Sequence, residues 1–276
     1  MLTAEALGRF PSWFMRKYYL GPDHPAKLRL WGWLRTTMNY REITIPYCGR
    51  GWIAIDERDW LQRLVLTKGF YEPEVWESLF QFAGKNETVW DVGAHVGTFT
   101  IRSLFDTRVA EVHSFEPNPL VYSKLNRNVS LNAVGLGKSF LHEIALGSEP
   151  GGRDLYHGPL QNTGLSSLMT KPTGIATQVQ CVSVDQLVFE GGVKAPTLMK
   201  IDVEGSEYDV LRGARQSFLK APPKAIVIEV EVDPEGKWLD RRLAEYVDET
   251  SYSIRHIARP SGEMESRENY LLSRMS

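Results

Sequence analysis

Two places in this 276-residue chain carry residues of the types and spacing that chemistry needs. The first is Thr88 to Gly97, T-V-W-D-V-G-A-H-V-G. A short β-forming run is interrupted by Asp91 and Gly93, and an amphipathic run begins near Val96, which reads as strand, tight turn and helix start. Gly93 and Gly97, with Ala94 and His95 between them, let a ligand lie close to the backbone, and the free N–H groups of the helix start face an anionic or polar group. About twenty residues further on, the apolar segment Val109 to Phe115 ends in Glu116, followed by Pro117. An acid in that place suits hydrogen bonds from ribose hydroxyls.

The second place is Lys200-Ile201-Asp202-Val203-Glu204-Gly205. Side chains alternate along a strand, so Lys200 and Asp202 share one face, with Glu204 near it at the strand's exit. A lysine and an acid in an otherwise apolar strand are costly unless paired or functional. Glu229 leaves a neighbouring apolar strand at the same edge. Asp202 or Glu204 could take a proton from an attacking hydroxyl as a general base, with Lys200 beside them. Alternatively Asp202, Glu204 and Glu229 could hold a divalent cation such as magnesium, which would lower that hydroxyl's pKa. The bland alternative is that Glu204 caps the next helix and Glu229 pairs with a basic side chain. A histidine in a turn, as at 95, is commonly a structural hydrogen-bonding residue, though it could also touch a ligand.

What is missing narrows the nucleoside. A dinucleotide fingerprint needs G-x-G-x-x-G so that a pyrophosphate can approach the backbone. Here the run is G-A-H-V-G, and Asp91 would repel a pyrophosphate while suiting an ammonium group, such as the amino-acid end of S-adenosylmethionine. The methyl donor fits better than NAD.

These residues need a frame to hold them. Helices over 96–105 and 119–131, alternating with strands ending at 90, 115 and 146, imply a parallel doubly wound α/β sheet whose ligands lie beyond the strands' C-terminal ends. A fourth strand over 197–202, a helix over 206–219, a fifth strand over 225–228, a helix over 234–250 and strands over 252–257 and 269–274 complete it. Residues 147–180, rich in glycine, proline, serine and threonine, interrupt this rhythm as an inserted loop or hairpin, either facing substrate or a plain surface excursion. Residues 42–55 read as a β-hairpin around Cys48 to Gly51, and 59–66 as a short helix. Before the helix that begins at Pro73, Tyr71 and Glu72 could touch the ligand, or Glu72 could cap that helix. The expected division is an N-terminal extension over 1–68 and a ligand-binding domain over 69–276.

The motifs Asp91-Val92-Gly93-Ala94-His95-Val96-Gly97, Phe115-Glu116-Pro117-Asn118, Lys200 to Glu207 and Ile228-Glu229-Val230 together resemble the FkbM-type S-adenosylmethionine-dependent methyltransferases. The resemblance runs from about residue 69 to the C-terminus, and Gly69 to Pro73 also shares in it. It implies a Rossmann-like class I methyltransferase fold, with Asp91, Gly93 and Gly97 around the methionine end of the donor and Glu116 on the ribose. Ala145, near the end of the third strand, joins the residues expected around the cofactor. The resemblance also implies O-methylation, often of sugar or polyketide hydroxyls. His95 stands where asparagine is usual in the family.

Composition bounds the partners. The net charge of -2 gives no global drive toward nucleic acid. Two cysteines, Cys48 and Cys181, imply neither a disulfide framework nor a zinc cluster. The absence of a long apolar run or a signal-peptide shape points to the cytoplasm. Residues 1–40 mix aromatic with basic side chains, which suits a helical cap, peripheral contact with an anionic membrane, or the grip on an acceptor. A homo-oligomer is compatible with all of this. The reading is a cytoplasmic O-methyltransferase acting on a saccharide, glycolipid or related natural-product hydroxyl. Its rivals are an N-methyltransferase of protein or RNA and a silent module that only binds S-adenosylmethionine.

Overall fold

The computed structural model describes residues 42–56, 58–132, 138–159, 162–169, 174–259 and 265–274. The aromatic and basic segment over 1–40 lies outside these described residues. The chain divides into two compact units, residues 1–71 with 160–162, and residues 72–159 with 163–276.

In the first unit, β1 (Ile43–Tyr47) and β2 (Gly51–Ile55) form the expected antiparallel hairpin, with Ile43 opposite Ile55. Alternate residues Ile43, Ile45, Ile53 and Ile55 are buried, as a strand period of two demands. Helix α1 (Trp60–Lys68) begins at Asp59, whose side chain accepts the Gln62 N–H. An aspartate at that cap satisfies one of the amides a helix start leaves unpaired.

The second unit runs α2 (Pro73–Phe80), β3 (Glu87–Val92), α3 (Thr98–Leu104), β4 (Val109–Phe115), α4 (Pro119–Ser130) and β5 (Ser139–His142). It continues through β6 (Ala145–Leu146), β7 (Gly151–Tyr156), β8 (Ala176–Val182), α5 (Val184–Phe189) and β9 (Leu198–Ile201). The remainder is α6 (Glu207–Arg212), α7 (Arg215–Lys220), β10 (Ala225–Glu231), α8 (Arg241–Asp248), β11 (Tyr252–Ile257) and β12 (Arg267–Arg274). A seven-stranded sheet has the order β11-β12-β10-β9-β3-β4-β5. All its strands are parallel except β12, which runs antiparallel between β10 and β11. The direction of the chain reverses at β3, where β4 lies on one side and β9 on the other. An α/β sheet opens a ligand crevice beyond the strand ends at such a point.

Both faces are covered. Val89, Leu198, Val227 and Leu271 pack beneath α2, α3 and α4, whereas Trp90, Met199, Ile226 and Leu272 pack against α6 and α8. Helix α4 is tied to the turn before α3 by Asn128, which is fully buried and donates to the Val96 carbonyl at 2.8 Å.

Three expectations fail for identifiable reasons. The third strand stops at His142, and Ala145–Leu146 pairs instead with β8 in a second sheet of order β6-β8-β7. The helix expected over 206–219 splits at Gly213, whose carbonyl accepts the Asp185 N–H and whose Cα side abuts the Gly147 carbonyl. The helix expected from Pro234 begins only at Arg241, because Asp233 and Asp240 each close a local turn on following backbone N–H groups. Within residues 147–180, the described residues include the antiparallel pair of β7 and β8. No helix among the described residues is long and apolar enough to cross a membrane.

Candidate active site

The alternation of strand side chains places the chemistry. Val89, Leu198, Val227 and Leu271 face α2 and α3, so Asp91, Lys200, Glu229 and Asn269, two residues from each, face the same way. Asp91 lies opposite Lys200 in the register, Lys200 opposite Val227, and Glu229 opposite Asn269. Asp202 and Arg267 continue the row, and the Asp202 N–H still donates to the Val92 carbonyl at 2.9 Å. An apolar face thus turns polar at the C-terminal rim of the parallel strands.

Lys200 and Asp202 share a face as expected and pair at 2.7 Å, with the lysine side chain 8% exposed. Carboxylate oxygens of Asp202, Glu204 and Glu229 lie within 4.8 Å of one another. Arg267 Nη1 is 3.2 Å from Glu204 and 3.9 Å from Glu229. Glu72 opens α2 with a left-handed backbone and makes no side-chain cap, so the capping alternative fails; its Oε1 accepts from Asn269 Nδ2 at 3.2 Å. Nor does Glu204 cap α6: it holds a left-handed φ of 55° and turns its carboxylate to Arg267.

The charges are unequal partners. Burial disfavours the cation of Lys200, but Asp202, Asp91 and Glu72 outweigh it and keep the lysine charged. Burial also works against the Asp202 carboxylate, and Lys200 more than compensates, holding it below the usual carboxylate range. Glu204 is pushed up to about 7 by burial and then by the charge of Asp202. Burial, then Asp202, pushes Glu229 well above its ordinary value, and burial sets Glu72 to about 7 despite Lys200. Lys200 and Arg267 between them already lie against all three acids that could hold a divalent cation, so a metal would have to displace existing pairing.

The turn after β3 has its own logic. Asp91 is buried; its Oδ2 accepts from Thr100 Oγ1 at 2.6 Å, while its Oδ1 has no hydrogen-bond partner among the described residues. Glu116 accepts the His95 N–H at 3.0 Å and the Asn118 N–H at 2.9 Å, and burial still pushes it up to about 7. Each of its oxygens keeps a lone pair for a further donor. Pro117, half-buried, links Glu116 to Asn118 in the chain. At Gly93, with φ +83°, a Cβ would come within 1.7 Å of the Asp202 carbonyl oxygen; at Gly97 it would meet Leu125 Cδ1 at 2.7 Å. The side of each glycine that lacks a Cβ is therefore taken by protein atoms, whereas the sequence suggested space for a ligand.

His95 Nε2 lies 2.8 Å from Thr163 Oγ1, and Ser167 Oγ donates to the Glu204 carbonyl at 2.7 Å. Thr163 and Ser167, between β7 and β8, thus reach the two motif turns. Ala94 is buried and donates its N–H to Phe115, and Ala145 is buried in β6 opposite Cys181. Tyr71 ends the other unit. Four members of the constellation, Arg267, Asn269, Thr163 and Ser167, had no signal in spacing: the first two depend on strand order, the others on how a hairpin folds back.

Residues 91–257 match the methyltransferase FkbM domain. The hexuronic acid methyltransferase AglP of Haloferax volcanii is 30% identical over 215 residues, spanning 76% of this chain and 84% of that protein. The 31-O-demethyl-FK506 methyltransferase FkbM of Streptomyces tacrolimicus is 27% identical over 160 residues, or 48% of this chain and 60% of that one. A crystal structure of methyltransferase FkbM from Methylobacillus flagellatus has a TM-score of 0.47 at 16% identity, covering 98% of this chain and 60% of that chain. The family match spans more than half of the chain, and the Haloferax relative is 30% identical over most of both lengths: the chain belongs to the FkbM methyltransferase family.

Proposed function

We propose that this methyltransferase uses S-adenosylmethionine to methylate a hydroxyl oxygen of a saccharide, with a sugar acid as the preferred class. One observation carries the reading. Acids suited to the donor, Asp91 and Glu116, and acids suited to an acceptor, Glu204 and Glu229, stand along a single rim of the sheet. The unpartnered, buried Asp91 Oδ1 supports a cationic or N–H group in the turn, and the desolvated Glu116 supports hydroxyl donors beside it. When bound, S-adenosylmethionine supplies an electrophilic methyl group on a sulfonium.

The protein's tasks are alignment, exclusion of water and removal of one proton. Glu204 suits the base, because a general base works best with a pKa near the operating pH. Asp202, held ionised by Lys200, is the weaker base; its charge raises the basicity of Glu204. As the acceptor oxygen bonds to the methyl carbon and the carbon–sulfur bond breaks, Glu204 takes the hydroxyl proton and S-adenosylhomocysteine leaves as a neutral thioether. Arg267 and Asn269 offer donors that would orient an acidic sugar. The hexuronic acid relative supports that acceptor class.

The test is incubation with S-adenosylmethionine and a panel of hexuronic acids, neutral sugars and lipid-linked sugars, with magnesium or with chelator, and mass spectrometry to locate the methyl group. A methyl ether formed in chelator supports the reading. Methylation of nitrogen, or of the sugar carboxylate, which needs no base, would overturn it.

A further inference from the structure

A cleft of about 600 Å³ lies in the second unit, between α6, α7, the end of α8 and the starts of β10 and β11. It sits at the opposite end of the sheet from the acids. Ala225 pairs with Ser273 and Tyr252 with Arg274 there, whereas Glu229 leaves β10 four residues later, about 13 Å along the strand.

The cleft is layered. Its floor is apolar, formed by the buried Ile226, Val247 and Leu272. Its walls include Phe218, Tyr246 and Tyr252, and both tyrosine hydroxyls are occupied, donating to the Leu211 carbonyl at 3.1 Å and the Pro223 carbonyl at 2.8 Å. The aromatic walls therefore present ring faces rather than free polar groups. Around the mouth stand Arg212, Arg215 and Arg274, all exposed, against the single acid Glu249. None of the three arginines has an ion pair or side-chain hydrogen bond among the described residues. The positive charges of Arg215 and Arg274 reach the rings of Tyr246 and Tyr252 and favour their ionised forms, opposing burial. Leu219, also at the mouth, is 72% exposed.

We infer that this cleft is a second binding site, for an anionic amphiphile whose chain lies on the apolar floor and whose phosphate sits among the three arginines. The chemistry is complementary at both ends. Guanidinium groups form charge-assisted, bidentate bonds to phosphate, and an apolar pocket with a few convergent polar groups is the ordinary form of a small-molecule site. A local excess of cations in a chain of net charge -2 singles out the place. A molecule held here cannot be the methyl acceptor, because the acids lie at the other rim; the site would anchor the enzyme or hold a regulator. It does not depend on which acceptor the enzyme methylates.

Dihexanoyl phosphatidic acid, kept monomeric, is the probe, and titration calorimetry the readout. Binding is expected, with dihexanoylphosphatidylcholine and inorganic phosphate each weaker by at least about tenfold, since one lacks the net charge and the other the chain. The double variant R215Q/R274Q should lose binding by a similar factor, yet bind S-adenosylhomocysteine and melt as the parent does. Equal affinity for the choline lipid, equal affinity for free phosphate, or undiminished binding by the double variant would each overturn the assignment. So would the absence of any binding by the parent protein.

Discussion

Replacing Arg267 by methionine keeps the side chain's length and removes a positive charge 3.2 Å from Glu204 and 3.9 Å from Glu229. Two unit charges about 4 Å apart interact by about 1 kcal/mol in water and about 4 kcal/mol at the effective dielectric of a protein surface, and one pH unit corresponds to about 1.4 kcal/mol. The two side chains are 19% and 15% exposed, so the screening falls between those limits. Without the arginine, the Glu204 carboxyl, now at about 7, should rise by about one to three pH units. Because the base must be ionised to act, the acidic limb of kcat/KM moves to higher pH by the same amount. Asp202→Asn should do the opposite, since the charge of Asp202 is what lifts Glu204 after burial. Glu204→Gln should abolish the limb and lower kcat/KM by about 10²- to 10⁴-fold, the usual worth of a positioned base. Initial rates at limiting acceptor and saturating donor, across neutral pH, would follow all three. A limb that stays in place in both Arg267→Met and Asp202→Asn, or survives intact in Glu204→Gln, refutes the assignment of the base.

Three further outcomes are expected. Asp202→Asn should leave the affinity for S-adenosylhomocysteine within a few-fold while turnover falls, and calorimetry beside a donor-consumption assay would show whether the two effects separate. Gly93→Ala forces a Cβ to within 1.7 Å of the Asp202 carbonyl and strains a φ of +83°, so unfolding measurements should find a loss of about 3 kcal/mol or more; a parent-like melt would contradict the packing described. For Glu116 the folded pKa, about 7, lies above the ordinary 4.5, so the folded state binds more protons in between. Its contribution is fully present below about 4.5 and lost as pH rises through about 7, making the unliganded enzyme melt lower at neutral pH than in mild acid. Glu116→Gln should flatten that slope, and an unchanged slope would assign it elsewhere.

Local pattern was enough for much of the fold. Strand β4, helices α3 and α4 and the start of α2 could be placed within about two residues, the usual uncertainty of such boundaries, because their period and their caps, such as Asn118 before Pro119, are written within a few residues. That Lys200 and Asp202 share a face also followed from alternation alone. Where long-range backbone contact decided the outcome, pattern failed. Helix 206–219 broke because Gly213 meets Gly147, more than sixty residues away in the chain, and the third strand ended early because β8 claimed Ala145–Leu146.

The candidate site divides in the same way. The identities at 91, 93, 97, 116, 200, 202 and 204, and their place at strand ends, were set by the sequence, since each motif is a strand exit that can be read from its neighbours. The strength of Glu204 as a base was not, because it depends on burial, on Asp202 and on an arginine from the last strand. Only the insertion of β12 between β10 and β11 sets Asn269 opposite Glu229 and carries Arg267 to the acids, and only the return of the β7–β8 segment puts Ser167 on Glu204. Sequence spacing fixes which side chains share a face; the order in which strands are laid side by side fixes which charges meet. That order is decided by burying both faces of the sheet at once.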